Sequence, residues 1–287
     1  MQLKCTLKLD IRCKQKNMKI LLIVFIIISF GFNSLMTSQN ISVVSWNIRD
    51  LGKTKTNEQI TFIAQTLRAY DVIAIQEVVA KDPGGAQAVA KIVDALNRLG
   101  SKWDYVISNP TKSPSSFIKE RYAFIWKTSK VQLNHRPYLA TTLQEFCHRE
   151  PYVAHFKTKN QKEFAVLNYH ARSTKNHPEI EIPYLAQFIE GLNHQAVIIC
   201  GDFNLNETHP VFHSFYQIGF MPALKNTKTT LKRKCTNEFL SRAHDNFYFK
   251  NIDLINIKVL NTPVNCQQMI SYNPISDHLP IVGSFSF

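Results

Sequence analysis

The chain of 287 residues contains 34 Lys and Arg against 21 Asp and Glu, a formal charge of +13. Its 45% hydrophobic content with only 9 Gly and 12 Pro excludes a disordered, collagen-like or coiled-coil chain and supplies enough apolar residues for a large core. The positive charge points to an anionic partner, nucleic acid or anionic lipid, although a merely soluble basic surface has the same composition.

An apolar run near the start of the chain predicts a secretory signal peptide. Ile20–Phe32 (ILLIVFIIISFGF) follows several lysines and precedes a small, polar stretch, which is the order of a signal sequence. The run is shorter than the ~20 residues of a spanning helix, so a permanent anchor is the weaker interpretation. Translation from Met18 would also give a complete signal. We expect residues 1–39 to be a leader and upstream extension, and 40–287 to be a single domain.

Removal of the leader would change the net charge and the number of cysteines in the remaining chain. Residues 1–39 carry six of the basic residues and one of the acidic residues, so about +8 remains for the rest of the chain. Four cysteines remain as well, without the close spacing of a zinc site, and they allow one or two disulfides. Cys200 ends an apolar run and resembles a buried small hydrophobe, which favours Cys235 with Cys266 as a pair.

The predicted elements alternate between β-rich runs and helical periodicity. In chain order they are a strand at 41–46, a helix at 58–70, a strand at 72–76, a helix at 85–99, strands at 105–108, 122–126, 152–156 and 164–169, a helix at 181–192, and strands at 196–200, 246–249, 255–260 and 280–285. Several direct strand-to-strand steps favour a layered sandwich over a strict βαβ repeat. Residues 225–237 (KNTKTTLKRKCTN) are strongly basic and are predicted to form an exposed loop.

Acidic and amide residues recur at the ends of apolar strands. Each alone is more often a turn residue than a ligand. Because the ends of neighbouring strands meet at one rim, the recurrence predicts a single site. The set consists of Asn47, Glu77, Asp202, Asn204 and Asp277. Such oxygen ligands suit Mg²⁺ or Mn²⁺ and disfavour zinc, and a metal of this kind clamps and orients a phosphate.

Two histidines near these residues are candidates for proton transfer. His170 follows the strand FAVLNY, and His278 follows Asp277. A catalytic histidine needs a carboxylate behind it to hold its tautomer, and Glu120 and Asp245 are the candidates for that support. Surface or capping roles are the common alternatives for each of these residues.

In this order, these motifs resemble the endonuclease/exonuclease/phosphatase superfamily and, within it, the deoxyribonuclease I family. The resemblance covers about residues 41–287. It is carried by the segments SWNIRDLGKTK (45–55), IQEV (75–78), KERYAF (119–124), REPY (149–152), EFAVLNYHA (163–171), GDFN (201–204), AHDN (243–246) and ISDHLP (275–280). GDFN and SDH mark the superfamily, whereas KERY, REPY and the strand that ends at His170 are narrower and look like deoxyribonuclease I.

The resemblance implies an α/β fold, a four-layer αββα sandwich of two packed mixed sheets flanked by helices. It implies two histidine–carboxylate pairs, His278 with Asp245 and His170 with Glu120, on opposite sides of a scissile phosphate. Glu77 matches the main metal ligand. The resemblance further implies a metal and phosphate shell of Asn47, Asp202, Asn204 and Asp277, and a phosphate contact from Arg49.

The chain departs from the deoxyribonuclease I pattern at two groove-gripping positions. It has Val79 where the family has an arginine and Ile118 where the family has a minor-groove tyrosine. We expect basic residues of the 225–237 segment to supply phosphate contacts instead, without reading sequence, namely Lys232, Arg233 and Lys234. The family's disulfide cysteine after GDFN is absent, so its disulfides and structural calcium sites are not carried over.

Together these features predict a secreted or periplasmic, monomeric, Mg²⁺-dependent endonuclease that cleaves DNA with little sequence specificity and leaves 5′-phosphate and 3′-hydroxyl ends. Mn²⁺ and Ca²⁺ stay open as cofactors, as does RNA as a substrate. One alternative is a secreted phosphodiesterase for a lipid or small phosphoester, similar to sphingomyelinases. Such an enzyme should carry an exposed aromatic hairpin, and the sequence after the leader has none. Another is a binding module without catalysis, which a full set of site residues disfavours.

Overall fold

A computed structural model of the protein describes residues 39–116, 118–192, 196–235 and 238–287. The predicted signal peptide lies outside these residues. The strands are β1 Asn40–Leu51, β2 Val72–Val79, β3 Trp103–Ile107, β4 Glu120–Lys127, β5 Val131–Leu133, β6 Tyr138–Leu139, β7 Tyr152–Thr158, β8 Glu163–His170, β9 Ala196–Asp202, β10 Met221–Pro222, β11 Asp245–Lys250, β12 Asp253–Val259 and β13 Ile281–Ser286. The α-helices are α1 Asn57–Leu67, α2 Gly84–Arg98, α3 Ile182–Glu190, α4 His213–Gln217 and α5 Cys266–Tyr272.

The strands form two mixed sheets. The first has the order β12-β13-β1-β2-β4-β3, and the second has the order β10-β11-β9-β8-β7-β5, with β6 paired to β7. The neighbours β1 and β2 are parallel, as are β8 and β9, and the other neighbours are antiparallel. All ten predicted strands and three predicted helices are present with small shifts of their ends. Short elements without a periodic signal were missed, namely β5, β6, β10, α4 and α5.

Three apolar clusters separate four layers. Phe124, Phe156 and Phe247 belong to the cluster between the two sheets. A second cluster packs α1 and α2 against the outer face of the first sheet, and a third packs α3 and α4 against the outer face of the second. Burial of these side chains is the main force holding the layers together. The predicted four-layer αββα sandwich is therefore confirmed.

The segment 225–237 differs from its prediction as an exposed loop. Thr229 is fully buried, and Thr230 and Leu231 are nearly so. The backbone N–H of Leu231 donates to the carbonyl of Asp277 at 2.7 Å, and that of Leu279 donates to the carbonyl of Thr229 at 2.8 Å. The first half of this segment is therefore packed against the chain that precedes β13, because its short run of apolar and β-branched residues finds backbone partners there.

The cysteines divide as the sequence predicts. Cys235 and Cys266 form a disulfide, whereas Cys147 and Cys200 are buried thiols. Burial raises the pKa of Cys200 to about 12, which leaves it an inert small hydrophobe. Among the described residues, the helices are too short or too polar for any of them to cross a membrane.

Candidate active site

The predicted site residues gather at one end of the two sheets, around a cavity of about 770 Å³. This is the end at which β1, β2, β8 and β9 finish and β4 and β11 begin. Its lining includes the catalytic candidates and also Val79, Lys81, Ile118 and Lys119. The polar members of the lining include Glu77, Glu120, Arg149, His170, Asp202, Asn204 and His278.

An irregularity in β2 directs Glu77 into the site. The register of β2 against β4 shifts between Ile75 and Val78, so that two residues face one on the neighbouring strand. Such a bulge re-aims side chains. Glu77 adopts φ 61°, and its carboxylate accepts hydrogen bonds from Asn47 Nδ2 at 2.9 Å and from the backbone N–H of Asp50 at 3.2 Å. The strained backbone is thereby compensated by contacts to β1.

The glycine of the GDFN motif permits the close approach of two strands. Gly201 has φ 147°, and a Cβ atom at this position would lie 1.7 Å from the carbonyl oxygen of Tyr169. Any other residue would therefore push β9 away from β8. With glycine present, the register places His170 opposite Asp202.

The first histidine–carboxylate pair is almost fully buried. His170 Nδ1 donates to both oxygens of Glu120 at 3.0 Å. Arg149 Nε lies 3.5 Å from the same carboxylate, and the guanidinium also donates to the carbonyls of His170 and Ala171. Burial and the Arg149 charge oppose a proton on His170, but Glu120 outweighs both and raises the pKa of the imidazole above its ordinary value.

The second pair has the same construction. His278 Nδ1 lies 2.8 Å from Asp245 Oδ2. Burial opposes the charged imidazole, but the carboxylates of Asp245 and Asp202 outweigh burial and raise the pKa of His278 well above its ordinary value. The hydroxyl of Thr229 donates to Asp245 Oδ2 at 2.6 Å and accepts from the backbone N–H of Asp245. Thr229 therefore holds the carboxylate that holds His278.

Asp202 lies between the two pairs. Its Oδ2 atom is 3.5 Å from Nε2 of His170 and 3.5 Å from Nε2 of His278, and Asn47 Nδ2 donates to it at 3.1 Å. Burial alone would raise the pKa of Asp202, but the nearby imidazoles outweigh burial and lower it. In both histidines Nδ1 faces the supporting carboxylate. The other nitrogen, Nε2, faces the buried carboxylate of Asp202.

The residues present fit a divalent cation. Asp202, Asp245 and His278 bring ligand atoms within 4.8 Å of one another, and Asn47 links the carboxylates of Glu77 and Asp202. Asn47 Oδ1 is buried and has no hydrogen-bond partner, which is costly unless a ligand takes that place. Together with Asn204 these groups offer mainly oxygen donors, the set preferred by Mg²⁺ and Mn²⁺.

Other predicted residues lie outside the cavity lining. Asp277 is half exposed, and its carboxylate lies 4.0 Å from the guanidinium of Arg49. Arg49 also donates to the carbonyl of Asn273, so its guanidinium is turned toward the segment before β13. Among the predicted DNA contacts, Lys232 pairs with Glu238, and Arg233 and Lys234 are exposed. Arg49 and Asp277 thus lie beside the second pair, since Asp277 directly precedes His278 and is among the charges that raise its pKa. Lys232, Arg233 and Lys234 are not among the residues that line the cavity.

Two groups that support the histidines were not predicted from the sequence. Arg149 belongs to the REPY segment, which by itself indicates no role for it, although it contacts both Glu120 and the backbone of His170. Thr229 lies within the segment predicted to be exposed. The only sequence signal for burial of Thr229 is the short run TTL (229–231) of β-branched and apolar residues among lysines. This signal is weak.

Comparison with known proteins agrees with this geometry. Residues 44–278 match the Endonuclease/Exonuclease/phosphatase family. The chain is 28% identical over 181 residues to deoxyribonuclease-1 of Homo sapiens and 30% identical over 182 residues to that of Bos taurus, which covers 59% of this chain in both cases. It spans 62% of the length of each of these relatives.

Solved structures show the same fold. A family protein from Bacteroides thetaiotaomicron superimposes with a TM-score of 0.64 at 16% identity, over 88% of this chain and 99% of that one. The human Nocturnin catalytic domain, solved with a bound sulfate anion, gives a TM-score of 0.60 at 18% identity, over 88% and 98%. With the family match, the two-sheet fold and the paired histidines in agreement, the chain belongs to the endonuclease/exonuclease/phosphatase family of hydrolases.

Proposed function

We propose that the protein is a secreted, divalent-metal-dependent endonuclease that hydrolyses DNA with little sequence specificity and leaves 5′-phosphate and 3′-hydroxyl ends. The observation that carries the proposal is the convergence of His170 Nε2 and His278 Nε2 on Asp202 Oδ2. Two supported imidazoles that face one position suit in-line displacement at a phosphorus atom, which needs both a proton acceptor and a proton donor. The family resemblance implies that they lie on opposite sides of the phosphate.

The supporting contacts determine which nitrogen of each histidine faces the substrate. Because Nδ1 of each ring donates to a carboxylate, Nε2 is the atom that exchanges a proton with substrate. From the resemblance to the deoxyribonuclease I family we assign His278 as the base that accepts a proton from the attacking water, and His170 as the acid that protonates the leaving 3′ oxygen. Departure of the 3′ oxygen leaves a 3′-hydroxyl on the upstream fragment and keeps the phosphate on the 5′ oxygen of the downstream fragment.

Glu77, Asp202 and the amide oxygens of Asn47 and Asn204 are the residues that would hold the cation. A divalent cation bound there would neutralise charge on the phosphate and offset the carboxylate charge that favours protonated histidines. Asn204 lines the cavity through a left-handed backbone conformation with φ 52°, and its backbone N–H donates to Asp202 Oδ1 at 2.8 Å. In this proposal the side chain of Asn204 contacts the cation and the phosphate.

DNA is the substrate favoured by the relatives and by the charge of the chain. The two deoxyribonuclease-1 relatives match this chain over 181 and 182 residues. The basic residues Lys232, Arg233 and Lys234 can contact phosphates along a polymer, which gives affinity without sequence readout.

Export is proposed from the leader alone. The test is N-terminal sequencing of protein recovered from outside the producing cell, and a mature end near residue 40 is expected. Recovery of the protein with its leader intact and bound to the membrane would show an anchor instead.

Incubation of the purified protein with supercoiled plasmid, with and without Mg²⁺, tests the activity. Relaxed and then linear DNA should accumulate with Mg²⁺ and not with EDTA. Parallel incubations with sphingomyelin and with a phosphate monoester test for the two competing activities, those of a lipid phosphodiesterase and of a phosphatase. Absence of nicking together with hydrolysis of either of these substrates would refute the nuclease proposal.

A further inference from the structure

A buried pair of amide side chains joins the two sheets directly beneath the site. Gln76 Nε2 donates to Asn168 Oδ1 at 2.6 Å and to Ser45 Oγ at 3.1 Å. Gln76 and Asn168 are fully buried, and Ser45 is nearly so. Gln76 belongs to β2 of the first sheet, and Asn168 belongs to β8 of the second. The apolar layer between the sheets is thus interrupted by a polar contact at this end.

Asn168 also supports the bulge in β2. Its Nδ2 atom donates to the carbonyl of Ile75 at 3.0 Å and to the carbonyl of Ala123 at 3.2 Å. These two residues are the last regular pair of β2 and β4 before the register shifts. A side chain from the second sheet therefore satisfies backbone acceptors of the first sheet where their own ladder is interrupted.

Both members of the pair are close along the chain to site residues. Gln76 directly precedes Glu77, which the bulge turns into the cavity. Asn168 lies two residues before His170 on the same face of β8, at a spacing of about 6.6 Å along the strand. The contact thus connects the strand that carries the proposed metal ligand to the strand that carries the proposed acid.

The Gln76–Asn168 contact is expected to add little to the free energy of unfolding. Gln76 Oε1 is buried without a hydrogen-bond partner, which costs free energy that an apolar side chain would not incur. Replacing both members of a buried hydrogen-bonded pair by apolar groups of similar shape is often close to neutral for stability. A contribution to geometry accounts for the amides better than a contribution to stability does.

We propose that Gln76 and Asn168 are positioning residues, which lock the β2 bulge against β8 and so fix the Glu77 carboxylate relative to His170 and Asp202. The catalytic readout of this inference rests on the proposed function. Without the pair, the bulge can relax along β2, and Glu77 moves away from the position it shares with Asn47. A displacement of about 1 Å at a site of this kind is enough to lower the rate by up to about 100-fold.

The experiment compares Asn168→Leu, Gln76→Leu and the double variant with the wild-type protein. Each single variant should melt at a lower temperature, because it leaves the partner amide buried and unsatisfied. The double variant should recover the part of the melting temperature that each single variant loses through an unpaired amide, but not the part that Asn168 contributes through the Ile75 and Ala123 carbonyls. Its kcat should stay at least about tenfold below wild type with KM for DNA little changed. Ser42→Ala is the control, since Ser42 donates to Asp71 at the opposite end of β1, and its kcat should not change.

A second readout does not depend on activity. Addition of Mn²⁺ should raise the melting temperature of the wild-type protein, and this rise should be smaller in the double variant because Glu77 is displaced. Gln76→Met, which keeps the volume in a flexible apolar side chain, gives the same comparison if the double variant does not fold. Wild-type kcat and an unchanged Mn²⁺ response in either folded variant would overturn the inference. If the wild-type protein does not cleave DNA, the proposed function fails, and the Mn²⁺ response still decides the role of the pair.

Discussion

His170 and His278 lie in different parts of the chain, yet their Nε2 atoms are both 3.5 Å from Oδ2 of Asp202. His170 ends β8 of the second sheet, and His278 precedes β13 of the first. The site is therefore assembled across the interface of the two sheets. Neither sheet alone contributes both histidines and Asp202.

Substitution of either histidine should remove most of the activity. For His170→Ala and His278→Ala we expect kcat to fall about 10²-fold to 10⁴-fold, the usual contribution of a positioned proton-transfer group. His213→Ala is the matched control, because His213 is an exposed histidine at the start of α4. Plasmid relaxation at saturating Mg²⁺ measures the effect. Full activity in either site variant would remove that histidine from the mechanism.

The metal-free protein should lose stability as the solution becomes alkaline. The pKa of both His170 and His278 is raised in the folded state, so their contribution is fully present below the unfolded value of about 6.5 and is lost as pH rises through the folded values. We expect the free energy of unfolding, measured by urea denaturation in EDTA, to fall over this range. In His278→Gln the fall should be shallower, and an identical slope in that variant would contradict the assignment.

Loss of the Glu77 carboxylate should weaken metal dependence. Glu77→Gln keeps the shape and can still contact Asn47, but it removes a charge from the proposed ligand set. The Mg²⁺ concentration for half-maximal activity should rise at least about tenfold, in line with the loss of one ligand. Asp94→Asn, an exposed acid on α2, should leave it unchanged. Equal Mg²⁺ dependence in Glu77→Gln and wild type would exclude Glu77 as a ligand.

Removal of the Thr229 hydroxyl should affect both stability and rate. Thr229→Val keeps the volume but removes one of the two side-chain donors to the buried Asp245 carboxylate, the other being His278, which should cost about 1–3 kcal/mol of unfolding free energy. We expect a smaller loss of kcat than in His278→Ala, because the histidine remains. Thr230→Val is the control, since the Thr230 hydroxyl contacts only the backbone of Arg242. If the two variants had equal kcat, Thr229 would have no special role.

The basic segment should govern the salt dependence of DNA binding. Replacing Lys232, Arg233 and Lys234 with Ala should weaken binding and reduce the slope of log K against log salt by about 0.9 for each phosphate that the variant no longer neutralises. A matched triple replacement of Lys157, Lys159 and Lys162 in and after β7 keeps the same net charge and should leave the slope unchanged. Binding to a metal-free duplex at several salt concentrations distinguishes the two. An unchanged slope in the first variant would show that these cations do not contact DNA.

The long elements and the outline of the site could be predicted because their signals are local. Strands such as β2 and β9 are continuous apolar runs, and the polar residues after them fall at one rim for topological reasons. Glu77 and Asp202 were recognisable for this reason without any tertiary information. The family resemblance then assigned each histidine to its carboxylate.

What could not be predicted depends on tertiary contacts between distant segments. Asn168 has the pattern of an ordinary polar interruption of an apolar strand, and only the structure shows that it reaches the bulge of the opposite sheet. Thr229 is surrounded by lysines in sequence, so its burial against Asp245 has no periodic signature. The contacts of Arg49 with the carbonyl of Asn273 and the carboxylate of Asp277 had no sequence signal either.

The disulfide makes oxidation state a variable in any preparation of the protein. Cys235 and Cys266 close a loop with a sequence separation of 31, a constraint worth about 3–4 kcal/mol by chain entropy. The bond connects α5 to the segment 225–237. In that segment Thr229 donates to the carboxylate of Asp245 and accepts from the backbone N–H of Leu279. Protein produced in a reducing cytoplasm would lack this bond next to His278. Material from the two redox environments should therefore be compared before a low specific activity is attributed to the catalytic residues.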